Sequence, residues 1–289
     1  MPAPVAEELL AWSDRTRRDL PWRRTRDPWA VLVSELMLQQ TQVARVVPKY
    51  AAFLERFPTV AACAASPAGD VVRLWAGLGY NRRALNLHAA ARACVERHGG
   101  VLPDSLDELQ ALPGIGPYTA RAVLAFAFER DVAVLDTNAA RVLARWEGRR
   151  LGPKEAQAAA DAVVPSGRGW AWNQAMLDLG ATVCTKRVAR CDLCPVTADC
   201  AWHLAGHPAP DPSDGSAGTS GRQSTFAGSD RQGRGLLVDA LRAGPVAGAD
   251  LPSVMGWPDD PIRAERVAAT LVRDGLAEPD GAGGLRLPT

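Results

Sequence analysis

The chain has 289 residues, of which 47% are hydrophobic, so it is long enough for one large domain or two smaller ones with a sizeable core. The net charge of +1 divides into +4 for the first 206 residues (25 basic, 21 acidic) and −3 for the rest (8 basic, 11 acidic). This bias is too weak for nucleic-acid binding by bulk charge, so any such contact must be local. Because there is no run of 18 apolar residues and no amino-terminal signal pattern, we expect a cytoplasmic protein that enters no membrane.

The first 206 residues predict helices and no convincing strand, so we expect an all-α first domain. The predicted helical segments are 5–17, 28–43, 43–57, 68–76, 83–98, 105–111 and 118–128, with more helices between 139 and 183. A short basic segment, Arg18–Arg24, follows the first helix and contains a single aromatic residue, Trp22. It is either a solvated linker with a packed tryptophan or a loop that clamps a nucleic-acid strand.

The helix predicted at 28–43 carries its apolar residues on one stripe, and Glu35 lies on the other side, near Val31 and Leu38. Such a carboxylate is either a solvated surface residue or, among apolar neighbours, an acid whose raised pKa keeps it protonated near neutral pH. A polar run, Gln39–Gln42, follows directly and breaks the apolar pattern. Its amides are suited to fill the gap that a displaced base leaves.

The stretch Leu112–Asn138 predicts a helix, a Gly-x-Gly hairpin and a second helix. We expect both outer glycines, Gly114 and Gly116, to lack room for a Cβ, and Pro117 suits the first turn of the new helix. Backbone amides at a helix N-terminus hold a phosphate without reading sequence, although an ordinary helical corner would give the same pattern. A carboxylate, Asp136, follows about twenty residues after the hairpin.

Four of the six cysteines fall within 17 residues, in the pattern Cys184-x6-Cys191-x2-Cys194-x5-Cys200. Since disulfides are rare in the cytoplasm, a metal centre is the natural interpretation, and zinc is the generic alternative. The six-residue gap, the Cys-x2-Cys pair and the proline after Cys194 favour an iron–sulfur loop over a zinc finger. The remaining Cys63 and Cys94 are expected to be buried structural thiols.

The sequence after residue 206 predicts a flexible linker and a small second unit. Residues 207–225 are rich in Pro, Gly, Ser and Asp, and form the expected linker. Residues 226–289 predict three helices (230–242, 249–255 and 261–274) and a hairpin within 276–287, which is typical of a winged-helix module. Arg231 and Arg234 lie near the start of its first helix.

These motifs together resemble the helix-hairpin-helix DNA glycosylases, most closely the adenine glycosylases of MutY type. The resemblance covers residues 5–206 and rests on the four-cysteine loop and on LPWR (20–23), SELMLQQTQV (34–43), GLGY (77–80), LPGIGPYTA (112–120), LDTN (135–138) and NQAMLDLGA (173–181). It implies a mainly α fold with a six-helix barrel over about 26–138. An iron–sulfur domain would be formed by about 1–25 and 139–206, with DNA bound in the cleft between the two.

The resemblance implies catalytic roles for four residues. Glu35 matches the catalytic acid, and Asp136 matches the catalytic carboxylate. Tyr118 matches a tyrosine that supports the reacting centre, and Asn138 matches an asparagine that positions these groups. The four cysteines match the ligands of a 4Fe–4S cluster. The implied substrate is double-stranded DNA that contains a mismatch, bound by a monomer at the nucleoid.

The resemblance also implies how the target base is reached. A base inside a duplex is inaccessible, so its nucleotide must be rotated out. Gln40 and Tyr80 match residues that wedge into the duplex. Further DNA or base contacts are expected from Arg18, Trp22, Arg23, Leu38, Gln39, Thr41, Gly114, Gly116 and Gln174. The C-terminal module is expected to adjust DNA affinity or the choice of opposite base through Arg231 and Arg234. Two positions depart from the motif of many relatives: Thr137 replaces a glycine, and Asn81 replaces a second tyrosine.

The implied reaction is hydrolysis of the N-glycosidic bond of adenine opposite 8-oxoguanine or guanine. Glu35 would protonate N7 of the leaving adenine, and Asp136 would stabilise the oxocarbenium-like sugar or trap it covalently. Bifunctional relatives carry a lysine where this chain has Tyr118, so the resemblance implies a monofunctional glycosylase. Two alternatives stay open: a thymine (G·T) mismatch glycosylase on the same scaffold, and a non-catalytic iron–sulfur DNA-binding protein.

Overall fold

The computed structural model describes residues 3–217 and 225–289, and almost all of its regular elements are helices. The helices are α1 (Ala3–Thr16), α2 (Pro28–Leu38), α3 (Val43–Arg56), α4 (Val60–Ala64), α5 (Ala68–Leu74), α6 (Arg82–Arg97), α7 (Leu106–Gln110), α8 (Pro117–Phe126), α9 (Thr137–Glu147), α10 (Pro153–Asp161), α11 (Gly169–Thr182), α12 (Ala201–Leu204), α13 (Asp230–Ala243), α14 (Leu251–Val254) and α15 (Pro261–Arg273). The strands are β1 (Val246–Ala247), β2 (Glu278–Pro279) and β3 (Gly284–Arg286). Within the described ranges, no helix is both long enough and apolar enough to cross a membrane.

The predicted helices are present, although several are a few residues shorter than predicted, and the largest difference is in the second helix. The helix predicted at 28–43 ends at Leu38, because the amide of Thr41 bonds back to the Leu38 carbonyl and Gln40 takes a left-handed conformation with φ 54°. The short helix α4 was not predicted. Its N-cap, Thr59, accepts a hydrogen bond from the amide of Ala62, which explains where this helix begins.

The contacts between residues group the chain into two compact units. Unit 1 contains Met1–Val31, Asp104–Leu106 and Gly116–Gly221, and unit 2 contains Leu32–Pro103, Asp107–Ile115 and Arg222–Thr289. Residues 116–138, which the sequence assigned to the barrel, therefore group with the cysteine loop. The predicted barrel and iron–sulfur boundaries stay predictions.

The core of unit 1 is built where helices α1, α9 and α11 pack together. Leu9, Val142, Trp172 and Leu179 are buried in one apolar cluster between these helices. Gly148 ends α9 in a left-handed conformation with φ 68°, which a glycine adopts without strain. This packing fixes the N-terminus of α9, which is where the LDTN motif lies.

The core of unit 2 contains an aromatic group formed by Phe53, Phe57 and Trp75. Phe53 meets Phe57 and Trp75 edge to face, with ring centroids 5.1 and 6.1 Å apart, an arrangement that aromatic pairs favour. Helix α6 packs on α4 and α5 beside this group. The loop between α5 and α6, which holds the GLGY motif, is therefore anchored at both ends.

The C-terminal module, residues 226–289, has the predicted winged-helix-like arrangement. Helices α13, α14 and α15 pack together, and the three strands form an antiparallel sheet in the order β1-β3-β2. In this sheet Val246 lies opposite Leu285 and Glu278 lies opposite Arg286. The predicted hairpin corresponds to β2 and β3, whereas β1 was too short to predict.

The predicted linker, residues 207–225, is only partly described, because residues 218–224 lie outside the described ranges. Residues 207–217 are packed on the rest of unit 1, whereas the sequence predicted a flexible linker over this range. The carboxylate of Asp211 pairs with Arg145 at 2.6 Å, and Ser216 Oγ accepts from the amide of Leu151 at 3.2 Å. Polar and proline-rich composition predicted flexibility here, but side-chain hydrogen bonds to distant residues hold these positions.

Candidate DNA-binding and catalytic site

The predicted phosphate-binding hairpin has different requirements at its two glycines. Gly114 has φ +74°, and a Cβ on it would lie 2.4 Å from Cβ of Asn86, so no other residue fits. Gly116 has φ −87°, and a Cβ there would meet nothing within 4 Å. The prediction that both glycines lack room for a Cβ is therefore wrong for Gly116. Pro117 is the first residue of α8, as predicted, and no side chain caps this helix N-terminus.

The candidate acid, Glu35, is buried in α2, and only 6% of the residue is exposed. Every residue from Trp29 to Met37 is buried. The helix is therefore covered on all sides, whereas the sequence predicted a single buried stripe. A helix that is apolar nearly all round is an interior helix. Glu35 is therefore not the solvated surface residue that sequence alone left as an alternative.

The two predicted wedge residues, Gln40 and Tyr80, have strained backbones. Only four non-glycine residues in the described ranges have positive φ, and these are two of them, at 54° and 46°. Such conformations cost of order 1–3 kcal/mol and persist only where the surroundings enforce them. The side chain of Tyr80 is nevertheless accessible, since 45% of the residue is exposed. Each of the two loops thus holds its predicted wedge residue on a constrained backbone.

One buried side chain, Arg83, holds both wedge loops, and sequence reasoning missed it. Its Nη1 donates to the carbonyl oxygens of Met37 at 3.0 Å and Gln39 at 2.6 Å. Its Nη2 donates to the carbonyl oxygens of Leu78 and Gly79, both at 3.0 Å. Burial lowers the pKa of Arg83 to about 10, so the guanidinium stays charged at neutral pH. Arg83 lies on α6, four residues after Gly79, which is the second glycine of the GLGY motif.

A second set of contacts ties the same loops together through Thr41. Its Oγ1 accepts from Nη2 of Arg83 at 3.0 Å and donates to the Leu78 carbonyl at 3.2 Å. Thr41 and Gln39 were predicted to contact DNA. The structure shows that the hydroxyl of Thr41 and the backbone carbonyl of Gln39 are used internally, to position the loop. Leu38, the last residue of α2, is half-buried.

The candidate catalytic carboxylate, Asp136, is the N-cap of α9. Its Oδ1 accepts from the amides of Asn138 at 2.8 Å and Ala139 at 2.7 Å, and its Oδ2 accepts from the side-chain amide of Asn138 at 2.8 Å. Burial raises the pKa of Asp136 above its ordinary value of 3.8, while these hydrogen bonds and the charge of Arg141 oppose the rise. The helix N-terminus also favours the ionised carboxylate.

Arg141 extends this arrangement toward the cysteine loop, and it too was missed from the sequence. Its Nη2 donates to Asn138 Oδ1 at 2.9 Å and to the Gly180 carbonyl at 2.6 Å, and its Nε donates to the Cys184 carbonyl at 2.8 Å. Gly180 permits this approach, since a Cβ on it would lie 2.7 Å from Asn138. Gly180, the glycine of the NQAMLDLGA motif, is therefore required for packing against Asn138, which is bonded to the candidate carboxylate Asp136.

The segment that leads to Asp136 is held by Asn173. Its Oδ1 accepts from the Val134 amide at 2.7 Å, and its Nδ2 donates to the Val132 carbonyl at 2.8 Å. Gln174, the next residue on α11, is buried like Asn173. Tyr118 is half-buried on the first turn of α8. Its supporting role at the reacting centre stays a prediction.

The predicted base contacts Arg18 and Arg23 are bound to a buried carboxylate instead of standing free. Both guanidinium nitrogens of Arg23 donate to Asp178, at 2.7 and 2.8 Å, and Arg18 Nε donates to it at 2.6 Å. Burial by itself would raise the pKa of Asp178, but the hydrogen bonds and charges of Arg23 and Arg18 outweigh it and lower the pKa. Trp22 is also buried.

The four cysteines of the predicted metal centre are all in unit 1, and none forms a disulfide. Burial, followed by the nearness of Cys184 and Cys200, raises the pKa of the Cys191 thiol. Burial likewise raises the pKa of Cys194 to about 11, with Cys184 and Cys200 adding to the rise. The four cysteines are thus close enough to affect one another's pKa, and four thiols in one place are the donor set that an iron–sulfur cluster uses.

The surroundings of the cysteines carry compensating positive charge. Buried Arg145 donates to Cys184 Sγ at 3.3 Å, and its guanidinium also pairs with Asp211. A mixed donor group is present as well, since Cys191, His203 and His207 bring ligand atoms within 4.8 Å of one another. That group would suit zinc, so both metals considered from the sequence retain a structural basis. Lys186, Arg187 and Arg190 are exposed on the loop.

Comparisons with known proteins agree with this geometry. Residues 33–166 match the family model described as "HhH-GPD superfamily base excision DNA repair protein". The adenine DNA glycosylase of Mycolicibacterium smegmatis is 44% identical over 284 residues, which cover 96% of this chain and 93% of that protein. The chain belongs to the MutY-type adenine DNA glycosylases. The predicted family is thereby confirmed.

Other glycosylases are similar to this protein over about two thirds of its chain. The human adenine DNA glycosylase is 42% identical over 207 residues, which cover 66% of this chain and 38% of the human protein. The solved structure of a thermostable thymine-DNA glycosylase has a TM-score of 0.66 and 29% identity, covering 69% of this chain and 95% of that one. The predicted helix-hairpin-helix fold and the prediction of a DNA glycosylase of base excision repair are confirmed.

Proposed function

We propose that this glycosylase acts as a monomer on double-stranded DNA and removes adenine paired with 8-oxoguanine or guanine. The observation that carries the proposal is the contrast between two carboxylates. Glu35 is buried in an apolar interior helix, whereas Asp136 receives three hydrogen bonds at the N-terminus of α9. Burial raises the pKa of Asp136, but its three hydrogen bonds and the helix N-terminus oppose that rise and stabilise the ionised form, whereas the apolar helix around Glu35 offers no such set of backbone donors. Glycosidic cleavage needs such a pair, one carboxyl that gives a proton and one that stays ionised.

The proposed reaction begins with the adenine nucleotide rotated out of the duplex. Tyr80 and Gln40 fill the space it leaves, from loops that Arg83 fixes. Glu35 gives its proton to N7 of adenine, and the bond between C1′ and N9 breaks with its electron pair moving onto the base. The negative charge of Asp136 stabilises the resulting sugar cation until water adds to C1′, and the proton that this water releases restores the acid form of Glu35. The products are adenine and an abasic site in an intact strand.

Tyr118 supports a reaction that stops at the abasic site. A phenol cannot form a Schiff base with the sugar, which is the intermediate that leads to strand cleavage in lysine-containing relatives. Asn138 keeps the Asp136 carboxylate oriented through its 2.8 Å hydrogen bond. Gln174 and Trp22 are proposed to line the pocket of the flipped base, both from buried positions.

Cys184, Cys191, Cys194 and Cys200 are proposed to hold a 4Fe–4S cluster. The cluster would supply a compact charged centre that fixes the loop carrying Lys186, Arg187 and Arg190 against DNA phosphates. We assign it no chemical step. Since the proposed substrate is chromosomal DNA, we also expect the enzyme to work at the nucleoid.

The test uses duplexes that carry adenine or thymine opposite guanine or 8-oxoguanine, followed by alkali. The proposal expects alkali-dependent cleavage at adenine in both pairs, and no covalent adduct after borohydride treatment. The second candidate, thymine removal from G·T pairs, is favoured by the likeness to a thymine-DNA glycosylase. Cleavage at thymine alone would establish that candidate, and binding without cleavage of any duplex would favour a non-catalytic protein.

A further inference from the structure

The C-terminal module is bound to the part of unit 2 that carries the GLGY loop, and this contact is polar and specific. The predicted DNA contact Arg234 is used inside the module instead, where it donates to Asp274 at 2.6 Å and also to Thr270. Arg231 lies over the ring of Phe226 at 5.6 Å. The module's influence on the substrate must therefore be sought in other residues.

Arg242, in the last turn of α13, makes the contact that matters most. Its side chain is only 11% exposed. Its Nε donates to the Val72 carbonyl at 3.0 Å, and its Nη2 donates to Asn81 Oδ1 at 2.8 Å. Its Nη1 is held by Asp239 on the same helix. The guanidinium therefore spans from the module to the end of α5 and to the beginning of α6.

Asn81 directly follows the wedge residue Tyr80, and its side chain serves this contact. Asn81 occupies the N-cap position of α6 but caps no helix amide, which is the usual use of asparagine there. Its oxygen is bonded to Arg242 instead. Asn81, noted in the sequence as a departure from the motif, therefore has a structural partner in the module.

Two further contacts place the same surfaces together. The amide of Gly69 donates to the Pro288 carbonyl at 2.8 Å, and a Cβ on Gly69 would lie 2.5 Å from that oxygen. Arg82 and Asp274 form a weaker pair at 3.7 Å. The module is thus fixed on both sides of the Gly77–Asn81 loop, and Arg242 is the contact that reaches the loop itself.

We propose that the C-terminal module acts as a clamp on the wedge loop, in which Arg242 fixes Asn81 and so holds Tyr80 ready to enter the duplex. Arg242 is a positioning residue and touches no reacting atom. This inference rests on the proposed function, since it assigns the module a part in opening the base pair. The strained φ of 46° at Tyr80 is the kind of conformation that needs such support.

The test compares Asn81→Ala, Arg242→Met and the double variant with the wild-type chain. Arg266→Met is the matched control, because Arg266 pairs with Asp230 entirely within the module. Base opening is followed as the fluorescence of 2-aminopurine placed opposite guanine, and adenine excision is measured in single turnovers on A·8-oxoguanine duplexes. Duplex affinity and the thermal midpoint are recorded for every variant.

We expect each single variant to lower base opening and excision by the same factor, roughly tenfold, which is the size expected for loss of a hydrogen bond to a charged group. The double variant should be no worse than either single variant, since both remove one contact. Affinity should change by less than about twofold, because Asn81 and Arg242 bind each other rather than phosphate. The control should behave as wild type.

Wild-type base opening by Asn81→Ala would overturn the clamp. A loss confined to Arg242→Met would also overturn it, because it would show that Arg242 only secures the module through Val72. Failure of the proposed function is distinguishable: the wild-type chain would then open the base pair without releasing adenine. In that case the opening amplitudes of the variants still decide the clamp.

Discussion

The guanidinium of Arg83 donates to the carbonyl oxygen of Gln39 at 2.6 Å, across 44 residues of sequence. The same group reaches Gly79, so one buried cation joins the end of α2 to the GLGY loop. Carbonyl oxygens at a helix C-terminus have no partners inside the helix, and a cation is well suited to bind them. Arg83 therefore fixes the loops of Gln40 and Tyr80 at once.

Arg83→Met should lower the free energy of unfolding by about 2–4 kcal/mol, since it leaves several buried carbonyl oxygens without a donor. Urea denaturation of the two proteins measures the change. Arg82→Met is the matched control, because Arg82 is its neighbour in sequence but lies exposed with one weak pair at 3.7 Å. Equal stability of the two variants would contradict the role given to Arg83.

Glu35→Gln should abolish adenine excision and leave duplex binding nearly unchanged. The substitution keeps the size of a buried side chain but removes the proton that N7 must receive, a contribution of about 10²–10⁴-fold in rate. Single-turnover excision and a binding titration are measured on the same A·8-oxoguanine duplex. Glu55→Gln, on the exposed face of α3, serves as control. Near-normal excision by Glu35→Gln would remove Glu35 as the acid.

Asp136→Asn should lower excision by about 10²–10³-fold and keep the cap of α9, because the asparagine oxygen still accepts from the amides of Asn138 and Ala139. It loses only the hydrogen bond from the side chain of Asn138, so the change in stability should be about 1 kcal/mol. If Asp136 served only as a helix cap, excision by this variant would stay normal. Ala139→Gly, a change near the same helix N-terminus that leaves the carboxylate in place, controls for disturbance of α9.

As the pH is lowered, excision should decline before the pH reaches 3.8, which is the ordinary pKa of an aspartate. Burial raises the pKa of Asp136, and the protonated carboxyl cannot stabilise a sugar cation. The measurement is the single-turnover rate against pH, with circular dichroism at each pH to show that the protein is folded. A rate that stays constant down to pH 3.8 in the folded enzyme would count against an ionised Asp136.

Asp178→Asn should destabilise unit 1 by about 3–5 kcal/mol, since it leaves the buried Arg23 without its counter-charge. The pKa of Asp178 is lowered in the folded state, so its contribution is present above 3.8 and is lost as pH falls through the folded pKa. Stability of the variant should therefore depend less on pH in that acidic range. Asp14→Asn is the control, because Asp14 is 66% exposed and its partner lies 3.8 Å away.

Protein purified without oxygen should contain iron and inorganic sulfide in equal amounts, and no zinc. Cys200→Ser should lose this iron, whereas His207→Ala should keep it, because a 4Fe–4S cluster uses the four cysteines. The opposite pattern, with zinc in the wild type and its loss in His207→Ala, would establish the mixed site of Cys191, His203 and His207.

Sequence alone determined the features that depend on local chemistry. The conformations of Gly114 and Pro117 follow from their own backbone preferences, and the helices follow from apolar periodicity, so these could be predicted. The spacing of the four cysteines also needs no fold to be recognised. The resemblance of short motifs then led to the family, although the roles of the individual side chains stay predictions.

Only the tertiary structure decided how charged side chains are used, because their partners lie far away in sequence and no period marks them. The sequence around Arg23 suggests a DNA-binding loop, but the structure shows that Arg23 is paired with Asp178, 155 residues later. Arg83 reads as a surface residue of α6 until it is buried under carbonyl oxygens of two loops. Asn81 reads as a departure from a motif until folding brings it to Arg242, 161 residues away. Burial makes each of these pairings specific, since a buried charge must be matched in place.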